Sequence, residues 1–179
     1  MTFTEFLKTI PALNLALSGA SAGLTKTVLQ QRLIPDNLDW LPSAGVLVSI
    51  VAFLCVFGRM IPKAARLPLV LLGAISVAVL ITMQIRLVER FDFYGIPFHE
   101  LRGWSLSPEG QVMKHNLEAA VGQSLPIHDV IRFSDHTNMV ALFGANFYAS
   151  AALYSASFLA LLFCVIAVAG RYELDAKHQ

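Results

Sequence analysis

The sequence predicts an all-α integral membrane protein, a four-helix transmembrane bundle with a small extracytoplasmic domain between spans three and four. Three observations carry this expectation. Hydrophobic residues make up 56% of the 179-residue chain and charged residues only 14%, against about 25% charged in an ordinary soluble domain. The charge is segregated, with none in residues 41–58, 67–85 or 139–170. Between the first two of these runs sit the cations Arg59, Lys63 and Arg66, with no acid among them.

Each span is then tested by length. Bilayer hydrocarbon is about 30 Å thick, so a crossing helix needs about 20 apolar residues and at least about 17. Residues 41–58 and 67–85 number 18 and 19, and both qualify. Residues 139–170 give 32 without a charge, enough to span with tilt or to project. The N-terminal stretch 9–25, TIPALNLALSGASAGLT, has three readings. Lys8 before a short apolar core, with Ala20-Ser21-Ala22 following, suits a signal peptide. Ile10, Leu13, Leu17, Leu24 and Val28 on one face suit an interfacial helix, but that needs a strongly charged opposite face. The opposite face here carries Asn14, Ser18, Ser21 and Thr25, mild enough to bury against other helices. A first span is therefore the preferred reading.

Cytoplasmic loops carry excess Lys and Arg. The turn at Arg59, Lys63 and Arg66 is thus expected in the cytoplasm, together with the N- and C-termini, in a bacterial inner membrane. Residues 86–138 fall outside, and their five Lys/Arg and seven Asp/Glu show no positive bias. The expected organisation is three spans in 1–85, an extracytoplasmic domain in 86–138, and a long last helix with a short tail in 139–179.

The 86–138 segment begins with aromatics. Phe91, Phe93, Tyr94, Phe98 and Trp104 read either as an interfacial belt or as contacts for a partner. Phe91 and Phe93 alternate like a short strand until Gly95 and Pro97. A short amphipathic helix is expected near 108–121. Ser107 can cap it, Pro108 suits its first position, Glu109 favours its positive end, and Gly122 can close it. Met113, Leu117 and Ala120 supply the apolar stripe. A further short element is expected in 125–133, and Ser134 or Asp135 can then cap the last span.

Chemistry finds little support. Four of the five histidines, His99, His115, His128 and His136, lie in this segment with Glu100, Asp129 and Asp135 nearby in sequence. None has HxxxH or HExxH spacing, so no metal and no cofactor is assigned. Cys55 and Cys164 lie singly in apolar runs and read as small buried hydrophobes. The spans contain no His for haem ligation, no Lys for a Schiff base, and no Asp or Glu for ion coupling. No basic stretch interleaves with aromatics, which argues against nucleic acid.

The last span carries the clearest pattern. Ala141, Ala145, Ala149, Ala152, Ala156 and Ala160 are spaced 4, 4, 3, 4 and 4, a small-residue stripe with Asn146, Ser150 and Ser157 beside it. Helices in lipid associate by close packing, which small residues permit. The stripe is read as a helix-packing or oligomer interface. Three functions follow in order of preference. The first is a non-enzymatic assembly, sensing or accessory subunit of a membrane complex, such as a transporter, respiratory or bacterial anti-phage defence complex. Its partners would be the bilayer and either its own copies or a larger complex. The second is a homo-oligomeric channel or membrane-permeabilising effector, using the polar face at Asn14, Ser18, Ser21 and Thr25. The third and least supported is a surface enzyme built on His128, Asp129, Asp135 and His136.

Overall fold

The computed structural model describes residues 34–57, 61–93, 96–134 and 138–176. Among them the chain is mostly helical. In order it forms α1 (Leu41–Phe57), α2 (Arg66–Arg86), β1 (Val88–Phe93), β2 (Ile96–Leu101), α3 (Pro108–Val121), α4 (Ile127–Phe133), α5 (Met139–Phe143) and α6 (Ala145–Ala176). One-turn 3-10 helices at Asp36–Leu38 and Lys63–Ala65 lead into α1 and α2.

Two helices, α2 and the Ala145–Val168 part of α6, are long and apolar enough to cross a membrane. The 21 residues of α2 rise about 32 Å at about 1.5 Å each, and Arg66 and Arg86 stand at its two ends. α1 is shorter. Its 17 apolar residues rise about 26 Å, at the lower limit for a crossing helix. The expected first span, residues 9–25, lies outside the described residues.

Small residues set where these helices meet. A Cβ on Gly45 of α1 would lie 2.9 Å from Leu162 Cδ1 of α6, and one on Gly73 of α2 would lie 3.4 Å from Cys164 Cβ. α6 is the hub, since both α1 and α2 pack along it. α1 turns Gly45, Ser49, Ala52 and Val56 inward, and α2 buries Gly73, Ser76 and Met83. The opposite faces leave large aliphatics such as Leu47, Val51, Leu71 and Ile75 exposed. That arrangement is costly in water and suits a lipid surround.

Residues 88–143 form a polar layer at one end of these helices. Here the structure corrects the expectation of an all-α fold, because β1 and β2 make a two-stranded antiparallel hairpin. Val88 pairs with Leu101, Phe91 with Phe98 and Phe93 with Ile96. The alternation of VERFDF fits the period of a strand. Two small cores then fix the layer. In one, Ile34, Leu38 and Leu41 meet Met83, Leu87 and Tyr154 beneath Val88 and Leu101. In the other, Phe91, Leu125, Val130 and Ile131 meet Met139, Leu142 and Phe143.

α3 runs from Pro108, with the Ser107 Oγ accepting from the Gly110 N–H at 2.9 Å. It closes at Gly122, whose φ of 73° is left-handed. Met113 and Leu117 pack against the second core, while Ala120 is exposed.

A second correction concerns the last charge-free run. It is not one helix. Gly144 adopts φ 53° and ψ −132°, a region glycine alone visits readily, and separates α5 from α6. The amide of Gly144 donates to Val140 O and its carbonyl accepts from Phe147 N–H, so the break is hydrogen-bonded on both sides.

Candidate functional site

The face that α6 presents is set by what its neighbours cover. Ser150, Tyr154, Ser155 and Ser157 are buried against the other helices. The Ser150 hydroxyl donates to Asn146 O at 2.9 Å, and Tyr154 donates to Gln84 Oε1 at 3.2 Å. These polar groups serve the molecule's own packing. Asn146 does likewise, donating to Ser105 O at 3.3 Å and contacting Ser105 Oγ at 3.1 Å.

On the far side of the same helix, Ala145, Ala149, Ala152 and Ala156 are all exposed. Tyr148 and Leu153 flank them at 60% and 41% exposure. This face is nearly flat, about 17 Å long at 1.5 Å per residue, and no described residue covers it. Ala160, further down, is half-buried, and Ala141 belongs to α5 beyond the Gly144 break. The stripe read from the sequence therefore divides, with four alanines forming an open face.

The aromatics divide too. Phe91 is 8% exposed in the second core, and Phe98 packs beside it. They hold the hairpin to the helices below it instead of forming a surface. Trp104 stays half-exposed, as do Trp40 ahead of α1 and Tyr148 in the first turn of α6. Amphipathic rings at helix ends are typical of a membrane–water boundary. Tyr94 lies outside the described residues, and Phe93 ends β1.

Charged groups gather at one place. Glu89 on β1 is ion-paired with Arg102, one oxygen lying 2.9 Å from Nε, and meets His128 Nδ1 at 3.3 Å through the other. The His128 ring stacks on Phe91, with centroids 5.0 Å apart and planes 11° from parallel. Arg102 also donates to Arg86 O at 2.9 Å. Both Glu89 oxygens are engaged, so the cluster acts as a strut from the hairpin to α4 and to the end of α2. Asp129 is half-buried beside His128 in sequence, whereas Asp135 and His136 lie outside the described residues. Among the described residues, no three His, Cys, Asp or Glu side chains are placed to hold a metal ion.

Comparison with known families, curated proteins and solved structures finds no match for this chain.

Two further sequence readings fall partly or wholly outside the described residues. Asn14, Ser18, Ser21, Thr25 and Arg59 are outside them. Lys63 begins the one-turn helix before α2, and Arg66 begins α2 half-buried. One feature escaped the sequence reading. Asp36 and Asn37, ahead of α1, bond the outer edge of β2. His99 N–H donates to Asp36 Oδ2 at 2.7 Å, and Asn37 takes both the N–H and the C=O of Leu101 at 3.1 and 2.9 Å. Pro35-Asp36-Asn37 is a recognisable turn signal, but its partner lies more than sixty positions along the chain.

Proposed function

We propose that this chain is a non-enzymatic, multi-span membrane subunit that assembles with other membrane chains through α6. The observation that supports it is the open alanine face at Ala145, Ala149, Ala152 and Ala156, on a helix that packs along both α1 and α2. Lipid tails gain nothing special from such a face, whereas another helix approaches it closely and gains dispersion contacts. The strutted polar layer, in this reading, is the part that a signal or a neighbouring subunit meets.

A finer placement belongs to the same proposal. Four spans, with both termini and the Arg59–Lys63–Arg66 turn in the cytoplasm of a bacterial cell, satisfy the positive-inside rule. The polar layer then faces outward. A transporter, respiratory or anti-phage complex supplies the setting. The channel reading draws no support from α6, because Ser150 and Ser157 are turned into the molecule's own core.

The experiment is native mass measurement of the detergent-solubilised particle, with co-purifying chains identified. An assembly is expected, and Ala152→Leu is expected to weaken it at least tenfold. Leu47→Ala, on the exposed side of α1, is expected to leave it intact. A lone 19.6 kDa chain would overturn the proposal.

A further inference from the structure

The two edges of the hairpin are treated differently. In an antiparallel pair, residues alternate between those bonded across the ladder and those whose N–H and C=O point away from it. His99 and Leu101 direct theirs outward, where Asp36 and Asn37 take them. Pro97, two residues before His99, has no N–H to offer. The β2 edge is therefore sealed.

The register places Val88, Arg90 and Asp92 opposite Leu101, His99 and Pro97. Their own N–H and C=O groups consequently point away from β2 on the β1 side. No hydrogen bond of the described residues engages them. α4 meets the Glu89–Phe91 face of β1 through His128, and among the described residues β2 is the strand that pairs with β1. Arg90 is exposed and has no ion-pair partner among the described residues.

An unpaired edge recruits another strand. The charge pattern selects which. A row of like charges would repel a second copy. Arg90 and Asp92 instead bracket Phe91 with opposite signs. When two such strands run antiparallel with Phe91 opposite Phe91, Arg90 of each faces Asp92 of the other. The same register matches the outward-pointing groups of positions 90 and 92, so each Arg–Asp pair also exchanges two backbone hydrogen bonds.

We propose that the β1 edge, unpaired among the described residues, pairs with β1 of a second copy in this register, turning two hairpins into one four-stranded sheet. This rests on the reading that the chain assembles, but it uses a surface separate from α6.

Particle mass in detergent tests it with four proteins. The unaltered chain is expected to contain an even number of copies. Arg90→Pro removes an outward N–H while leaving the ladder to β2, and Arg90→Asp sets like charges opposite each other. Each is expected to halve the particle mass. The exchange Arg90→Asp with Asp92→Arg restores both cross-strand pairs and is expected to restore the mass. That recovery separates a pairing role from a folding defect in the single variants. If the single variants keep the mass of the unaltered chain, the edge proposal is overturned while assembly through α6 stands. Loss in Arg90→Asp without recovery in the exchange overturns the register. A monomeric unaltered chain sinks both readings.

Discussion

At residue 110 a single methyl group decides whether α3 can sit where it does. A Cβ there would lie 2.1 Å from Leu142 O, a backbone atom with nowhere to go. The Ser107 N–H donates to that same carbonyl at 2.8 Å, and the Ser107 hydroxyl donates to Ala141 O at 2.9 Å. Gly110→Ala must push α3 off α5 and break this seam, an overpacking loss of about 1–3 kcal/mol. Gly122 provides the comparison. It has open space around it but a φ of +73°, so Gly122→Ala loses only about 1 kcal/mol through backbone strain. Thermal unfolding of the two variants in one detergent should rank them in that order. Equal losses would mean that the α3–α5 contact is looser than described.

The elements differ in how openly the sequence announces them. α3 is legible because its instructions are local. Ser107, Pro108 and Glu109 specify a start and Gly122 an end without reference to the rest of the chain. The hairpin was half-legible. Phe91 and Phe93 alternate, but the β2 edge depends on Asp36 and Asn37, and no local pattern reports so distant a partner. The α5–α6 break was hidden for another reason. Hydropathy sums composition over a window, and one glycine in an uncharged run leaves that sum unchanged. Of the candidate site, the spacing of the alanines was readable, whereas which face the neighbours cover was not. Spacing alone could not tell that Ser150 and Ser157 would be turned inward and four alanines outward.

The end of α3 also carries a pH dependence. The Leu125 N–H donates to Glu118 Oε1 at 2.9 Å, and this bond chiefly holds the Glu118 carboxyl below its ordinary value of 4.5. Burial opposes the shift, while the Ser124 hydroxyl and Lys114 reinforce it. A carboxylate whose pKa falls on folding binds fewer protons when folded. Its contribution is therefore complete above 4.5 and is lost as the pH drops through the lower folded value. Exchange of the Leu125 amide, read relative to Glu118→Gln, is expected to accelerate only in that acidic window. A constant ratio from pH 6 downward would remove Glu118 from the turn.

The apolar helices α1, α2 and α6 each turn one side toward their neighbours and leave large aliphatic or small residues exposed on another. Spin labels on α2 test this directly. A nitroxide at Ile75→Cys, on the exposed side, should collide readily with oxygen dissolved in the bilayer. One at Ser76→Cys, a single position on but buried, should be shielded. Similar accessibility at both positions would mean that α2 does not lie against α6 in the membrane. Of the whole, composition and charge segregation made the apolar helices visible in advance. The meeting points at Gly45 and Gly73 were not visible, because many small residues occupy these helices and only three dimensions choose among them.

Gly144 makes the polar layer and α6 mechanically independent in one respect. Helical phase does not pass through a residue with φ 53° and ψ −132°. α5 is gripped by Ser107 and by the close approach of Gly110, so its azimuth belongs to the layer. The azimuth of α6 belongs to α1 and α2. An extra residue placed just before Gly144 should be absorbed at this swivel, leaving the alanines aimed as before. The same insertion after Ala149 would turn the upstream part of α6 by about 100°, since a turn takes about 3.6 residues. It would swing Tyr148 and its neighbours away from their present bearing. The glycine thus works as a gimbal, letting one end of the protein tolerate change in length without re-aiming the other.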